Sequence, residues 1–293
     1  MRGRRTSFAG ATCLITGAAS GIGRATAEAV AVRGGRLVLT DLRADALTVA
    51  AGELGAAVLD ARPADVSDHE QVRELAARVH EEHGPVDVVM NVAGISTWGS
   101  VERLGHEDWR AMVEVNLMGP INVIESFVPP MIEAGRGGHL VNVSSAAGLL
   151  GLPWHAAYSA GKFGLRGVSE VLRFDLRRAN IGVSLVCPGA VATPLVSSVK
   201  IVGLNREHPA ARAMVAEFVR KAKSPEQVAG SIVEGVERGR YLVFTSRDIQ
   251  AAYWLQRFAP PLYERLMLAL NRRLLKVAEA AGDRPPRQPQ PRS

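Results

Sequence analysis

From Thr12 onward, short β-branched runs alternate with longer helix-period stretches, and this rhythm restricts the fold more than any other feature of the chain. It predicts strands over 12–16, 36–40, 56–59, 86–91, 139–143, 182–186 and 241–244, with helices over 23–33, 45–54, 69–82, 107–133 and 155–179 between most of them. Apolar strands separated by helices belong to a parallel sheet covered on both faces, because each crossover helix packs back onto the sheet. The expected class is α/β, a Rossmann-type doubly wound parallel sheet of about seven strands with helices on both faces. A single domain over 11–246 accounts for the pattern.

Within it the rhythm breaks at 194–223, where Val196, Val199, Ile201, Val202 and Leu204 mix with polar residues and Pro209; a substrate lid is expected there. A basic segment over 1–10 precedes the domain and a helical extension over 247–281 follows it. Residues 282–293, rich in proline and arginine, have too few apolar groups for a core and are expected to be disordered.

Composition narrows the partners. The formal net charge is +6, but the basic residues are spread along the chain and gather only at its ends, which argues against a nucleic-acid partner. Cys13 and Cys187 are the only cysteines, both in apolar runs, so a disulfide scaffold and a Cys-rich metal site are excluded and no metal is expected. The start is basic without an apolar signal core, and no apolar run approaches the roughly 18 residues of a spanning helix. A cytoplasmic protein is the expectation.

The first strand runs straight into Thr16-Gly17-Ala18-Ala19-Ser20-Gly21-Ile22-Gly23 and then a helix. Such a turn presents backbone N–H groups to a pyrophosphate and lets it approach without a Cβ in the way. Asp41, at the end of the second strand and 24 positions after Gly17, has the spacing of a ribose-binding acid. Its charge would repel a 2′-phosphate, which favours NAD over NADP. Arg43 pulls the other way, because its guanidinium can pair with that phosphate. Ser20 precedes Gly21 where a basic residue would have been a phosphate anchor. A helix cap for residues 42–54 is the alternative role of Asp41.

Tyr158 and Lys162 are four positions apart in one helical stretch, so both side chains leave the same face. An ammonium about 4 Å from a phenol, at an effective dielectric near 20, favours the phenolate by about 4 kcal/mol. Tyr158 is therefore expected to titrate below the ordinary tyrosine value, towards the range that general acid/base work needs. A Tyr and a Lys that merely share a helix face are the alternative. Of 35 cationic residues only five are lysines, however, so a compact ammonium at 162 is not the habitual surface choice of this chain.

Ser144 and Ser145 end an apolar strand, the place where open α/β sheets bind ligands. Ser145 is expected to hydrogen-bond the reacting oxygen, whereas capping the turn before Ala146 and Gly148 suits Ser144 better. Asn116 is polar among apolar neighbours, and a buried amide needs partners; a water beside the active lysine would serve. His155 is expected at the rim of the pocket rather than in catalysis.

Together these residues resemble the short-chain dehydrogenase/reductase family, in its single-domain branch, over motifs that run in order from Gly17 to Thr193. TGAASGIG is similar to the family's T-G-x-x-x-G-x-G turn, and Asp65-Val66 to the pair that contacts the adenine. Asn91-Val92-Ala93-Gly94 resembles the N-x-A-G stretch under the cofactor, with Val92 where many members have a second Asn. Ser145, Tyr158 and Lys162 coincide with the catalytic set, thirteen positions separating Ser from Tyr. Asn116 coincides with the residue that bends its helix and holds a proton-relay water. Pro188-Gly189-Ala190-Val191-Ala192-Thr193 resembles the P-G-x-V-x-T segment, whose Thr contacts the nicotinamide carboxamide.

The resemblance implies B-face hydride transfer between a nicotinamide cofactor and an alcohol or ketone, with Tyr158 exchanging the proton, Ser145 holding the oxygen and Lys162 binding the ribose. It also implies homodimers or homotetramers built through the two long central helices. An NADP-dependent carbonyl reductase, a non-catalytic NAD-sensing module and a membrane-surface scaffold are the competing readings, and the intact Ser, Tyr and Lys set speaks against the last two.

The chain departs from many family members beyond 246. Leu262, Leu266, Leu270 and Leu274 recur every four residues after Pro260-Pro261, one apolar helix stripe accompanied by Arg265, Arg272, Arg273 and Lys276. Packing on its own domain or on a sister subunit is expected; peripheral membrane contact is the other reading. Trp98, Trp154, Leu149 and Leu150 indicate a greasy pocket and a lipophilic substrate.

Overall fold

Along β1 (Thr12–Thr16), Cys13 and Ile15 enter one apolar cluster and Leu14 another, so a strand buried on both sides divides the core into two layers. The computed structural model in which this is seen describes residues 5–194, 199–205 and 207–281. With β2 (Arg36–Thr40), β3 (Val58–Ala61), β4 (Val88–Asn91), β6 (Gly138–Val143), β7 (Ile181–Cys187) and β9 (Leu242–Phe244), β1 forms a seven-stranded sheet in the order β3-β2-β1-β4-β6-β7-β9. Every pairing in it is parallel. The order reverses between β1 and β4, the switch point at which a doubly wound sheet opens a crevice at its strand ends.

The layer containing Ile15 is covered by α1 (Gly21–Ala31), α2 (Ala44–Leu54) and a helix preceding β9, α8 (Pro225–Glu237). The layer containing Leu14 is covered by α3 (His69–His83) and α5 (Gly119–Ala134), through Val72, Leu75 and Val79 of the first and Val123, Phe127 and Met131 of the second. The long α6 (Ala156–Asp175) carries the site and adds Leu172 to this layer.

Two expected helices are subdivided. The stretch 107–133 is three pieces: α4 (His106–Val113), a π-helical turn Glu114–Met118, and α5. The stretch 155–179 ends in a 3-10 turn, Leu176–Ala179. The lid region supplies β8 (Lys200–Ile201), which pairs in parallel with β5 (Thr97–Trp98) as a separate small sheet, and α7 (Pro209–Arg220). Residues 195–198 and 206 of the expected lid, Val196 among them, lie outside the described residues, as do 1–4 and the expected disordered tail at 282–293.

Beyond β9, α9 (Arg247–Phe258) and α10 (Pro260–Ala280) fold back onto the domain. Ile249, Tyr253 and Tyr263 pack beside Leu149, Leu150 and Leu185, and Tyr263 donates to the Gly151 carbonyl at 3.4 Å. The expected single stripe is divided. Leu270 and Leu274 line a cavity with α7, whereas Leu262 (54% exposed) and Leu266 (48%) face solvent. Among the described residues no helix is long and apolar enough to cross a membrane.

Candidate active site

The glycine turn after β1 closes because its glycines have no side chain. Gly17 has φ +67°, and a Cβ there would stand 2.8 Å from Ala93 Cα; a Cβ on Gly23 would stand 2.1 Å from the Gly17 carbonyl oxygen. Thr16 Oγ1 accepts from the backbone N–H groups of Val92 and Ala93, both at 3.0 Å, which locks the N-x-A-G stretch beneath the turn. Asn91 Nδ2 donates to Asn142 Oδ1 and Asn142 Nδ2 to Ser169 Oγ, each at 2.9 Å, a buried polar ladder from β4 through β6 to α6. Ile22 packs at the edge of the core as α1 begins. Ser20 begins α1 without a side-chain cap, so the first-turn N–H groups face the crevice uncapped, as an anion site requires.

Asp41 is buried at the end of β2 and oriented by three donors: Ala19 N (3.1 Å), Arg43 N (3.0 Å) and Arg43 Nε (3.3 Å). Arg43 Nη2 also donates to Ser20 Oγ at 2.7 Å, so its guanidinium bridges the acid and the glycine turn. Asp65 accepts from the N–H and hydroxyl of Ser67, and the carbonyl of buried Val66 accepts from Asn122 Nδ2 at 2.9 Å. On the far side, the Pro188 carbonyl accepts from Ala146 N at 2.7 Å, and Val191 bridges to Lys223. Thr193 closes on the turn: a Cβ on Gly21 would lie 3.1 Å from its Cγ2. Gly189 is backed by Ile249 of α9, 3.0 Å from its Cβ position. These residues fit a dinucleotide: glycines where a pyrophosphate must approach, a fixed carboxylate for ribose hydroxyls, and a threonine across the crevice.

The chemical residues converge from three elements. Ser145, just beyond β6, accepts from Ala147 N at 3.1 Å and lies close enough to Tyr158 to lower its pKa. The turn-capping role expected of Ser144 thus belongs to Ser145, while Ser144 Oγ donates to the Lys162 carbonyl at 3.0 Å and ties the strand end to α6. Gly148 permits this, since a Cβ there would meet Ser144 Oγ at 2.2 Å. Lys162 is buried, its Nζ donating to the Val143 carbonyl at 3.0 Å and standing 5.9 Å from the Tyr158 ring centroid.

Burial pushes the Lys162 ammonium down to about 8. Tyr158 departs from the expectation of a lowered value: burial raises it, and the Ser145 hydrogen bond only partly offsets this. The reason is geometric. The ammonium donates to the Val143 carbonyl at the end of β6, and no charge attraction on the phenol offsets its burial, so desolvation prevails.

Asn116 sits in the π turn, fully buried, exchanging two hydrogen bonds with Ile95: Ile95 N donates to its Oδ1 at 3.2 Å and its Nδ2 donates to Ile95 O at 3.0 Å. Its amide is thus partnered by backbone. A Cβ on Gly94 would lie 2.8 Å from Asn116 Oδ1 and 3.3 Å from Lys162 Nζ, so the amide and the ammonium meet over that glycine. Sequence reasoning passed over Gly161, at which a Cβ would lie 2.6 Å from the Met112 carbonyl oxygen, and Gly164, at which one would lie 2.8 Å from Leu117 Cδ2. Two glycines on the face of α6 that meets the π turn were the available signal.

Trp98 and Trp154 line a cavity of about 260 Å³ beside this centre; Ser145 and Tyr158 are not part of its wall. His155 joins the two, its ring 4.5 Å from Trp98 and 6.4 Å from Tyr158 between centroids. Its Nδ1 hydrogen-bonds the Pro153 carbonyl at 2.7 Å, and burial lowers its pKa to about 4, which keeps it neutral. Trp154 holds φ +66°, a left-handed conformation rare for a bulky residue, with its carbonyl accepting from Gly99 N at 2.8 Å. Elsewhere, Asp60, Glu82 and His83 bring three possible metal ligands together, but Arg62 already donates to Asp60 at 2.6 Å and Glu82 at 2.7 Å, which makes them an ion-pair cluster.

The short chain dehydrogenase family model matches residues 11–201. The protein SadH of Mycobacterium tuberculosis is 34% identical over 272 residues, covering 90% of this chain and 96% of its own length. The 3-oxoacyl-[acyl-carrier-protein] reductase FabG of Thermotoga maritima is 37% identical over 227 residues, 76% of this chain and 89% of its own. Among solved structures, a short chain dehydrogenase/reductase from Burkholderia phymatum in complex with NAD superposes with a TM-score of 0.79 at 32% identity, covering 88% of this chain and 96% of that one. Sheet order, ordered motifs and these likenesses agree: the chain is an oxidoreductase enzyme and belongs to the short-chain dehydrogenase/reductase family.

Proposed function

We propose that the enzyme moves a hydride between NAD(H) and a lipophilic secondary alcohol or ketone, with Tyr158 as the general acid/base. The observation that carries this is the convergence of Ser145, Tyr158 and Lys162, with Ser145 beside Tyr158 and Lys162 buried on the same helix, 5.9 Å from the Tyr158 ring centroid. When bound, the nicotinamide supplies the hydride acceptor or donor. In reduction the Tyr158 phenol, which burial keeps protonated, gives its proton to the carbonyl oxygen that Ser145 holds; in oxidation the same transfer runs in reverse, from the alcohol to the Tyr158 oxygen. In this reading Lys162 binds the ribose hydroxyls and passes the proton on through a relay at Asn116, which lies with it over Gly94.

Support for NAD over NADP comes from Asp41, whose buried carboxylate is fixed in place and already holds the Arg43 guanidinium. The apolar cavity beside His155 supports a lipophilic substrate. Assembly as a homodimer or homotetramer through α5 and α6 is part of the reading, supported by exposed Phe163, Val171 and Phe174 on α6; a cytoplasmic location completes it. NADH and NADPH affinities, followed by a screen of alcohols and ketones at the nicotinamide absorbance band, test the reading. Tyr158→Phe should bind cofactor and lose at least a hundredfold in turnover; full activity in that variant would overturn the assignment.

A further inference from the structure

The cavity beside the reacting centre is walled by three parts of the chain that are distant in sequence. Trp98 and Trp154 form one side, Met214 and Phe218 of α7 another, and Leu270 and Leu274 of α10 close it. α10 lies wholly outside the segment matched to the family. Its leucines divide at the cavity: the two that line it are partly withdrawn from solvent, while Leu262 and Leu266, one and two turns earlier, stand about half exposed.

At the outer end, Glu217 of α7 is paired with Arg273 of α10 and with Lys221 at 3.0 Å. The two cations hold the Glu217 carboxyl down at about 2, so this clasp stays charged at every working pH. At the inner end stands neutral His155, one ring away from Tyr158. The lining is thus carbon along its length and polar at its two ends.

We propose that α10 is the outer wall of the substrate site, that the cavity takes an apolar alkyl or alicyclic portion attached to the reacting carbon, and that Leu270 and Leu274 set how long that portion can be. The proposal rests on the alcohol/ketone reading for its substrate class, and its test separates the two. Binding of 2-decanone to the full chain is measured by calorimetry, and NADH-dependent turnover of 2-butanone and 2-decanone is followed in parallel. Leu270→Trp and Leu274→Trp should weaken 2-decanone binding at least tenfold and raise the ratio of 2-butanone to 2-decanone turnover. Leu268→Trp, at an exposed position of the same helix, should change neither. Leu274→Ala, which only removes atoms, should move the preference towards ketones longer than 2-decanone.

Equal 2-decanone affinity in the parent and both cavity-facing tryptophan variants would overturn the proposal, as would no binding to the parent. Absence of turnover of either ketone would count against the redox reading, while the calorimetric comparison decides the role of α10 by itself.

Discussion

The Lys162 ammonium donates to the Val143 carbonyl oxygen at 3.0 Å, which anchors a residue of α6 to the last position of β6. The cation thus serves the sheet end, and burial governs the phenol. Tyr158 should titrate above the ordinary tyrosine value near 10. Ultraviolet difference titration of the parent against Tyr158→Phe checks this; a phenolate signal assigned to Tyr158 below pH 9 would contradict it.

Asp41 and Arg43 should separate the two cofactors. Asp41→Ala removes the ribose acceptor and frees the guanidinium that reaches Ser20. NADH affinity is expected to fall about tenfold and NADPH affinity to rise, a combined change of at least 2 kcal/mol in preference. Arg43→Ala should cost NADPH more than NADH. Fluorescence titration of both nucleotides reads each arm.

Asn116→Ala leaves the Ile95 N–H and carbonyl without their partner inside the fold. Ile95 is itself 37% exposed and water can replace part of each bond, so a destabilisation of roughly 1–3 kcal/mol is expected in urea unfolding. A loss under 0.5 kcal/mol would mean that the π turn does not depend on this amide.

His155 gives a pH signature of known sign. Its folded value of about 4 lies below the unfolded value near 6.5, so the unfolded chain takes up the proton first as pH falls. Stability present at neutral pH is lost progressively between pH 6.5 and 4, by no more than about 3 kcal/mol. His155→Phe keeps a ring between Trp98 and Tyr158 and should abolish that part of the loss. Urea unfolding at pH 7 and pH 4.5, parent against variant, measures it.

Phe174 is 59% exposed and Val171 58% on α6. If copies meet through this face, Val171→Glu with Phe174→Glu should yield monomers by light scattering while far-ultraviolet dichroism stays unchanged.

The sheet was legible because burial on both faces writes strands as continuous apolar runs, and β1 and β2 fall on the expected residues. The nearness of Ser145, Tyr158 and Lys162 was legible because two of them sit at i,i+4 spacing on one helix and the third at a strand end. What was not legible depends on contacts between distant segments. The π turn arises where Asn116 reaches Ile95, and β5 and β8 pair across about a hundred positions. The direction of the Tyr158 shift depends on where the Lys162 ammonium points, which i,i+4 spacing leaves open. The leucine stripe after Pro260 showed a helix with one apolar side, but not that α7 would take only its later half.

Trp154 sits at a backbone angle that glycine would adopt without penalty, at a cost of order 1–3 kcal/mol for an indole-bearing residue. Trp154→Gly would relieve that strain but take an indole out of the apolar cluster with Val199 and Ile201 and open the cavity wall, so the packing lost, about 3–5 kcal/mol, outweighs the strain released. Position 154 thus keeps a strained angle for the sake of the wall it builds, and a stabilised descendant of this enzyme must gain its stability elsewhere.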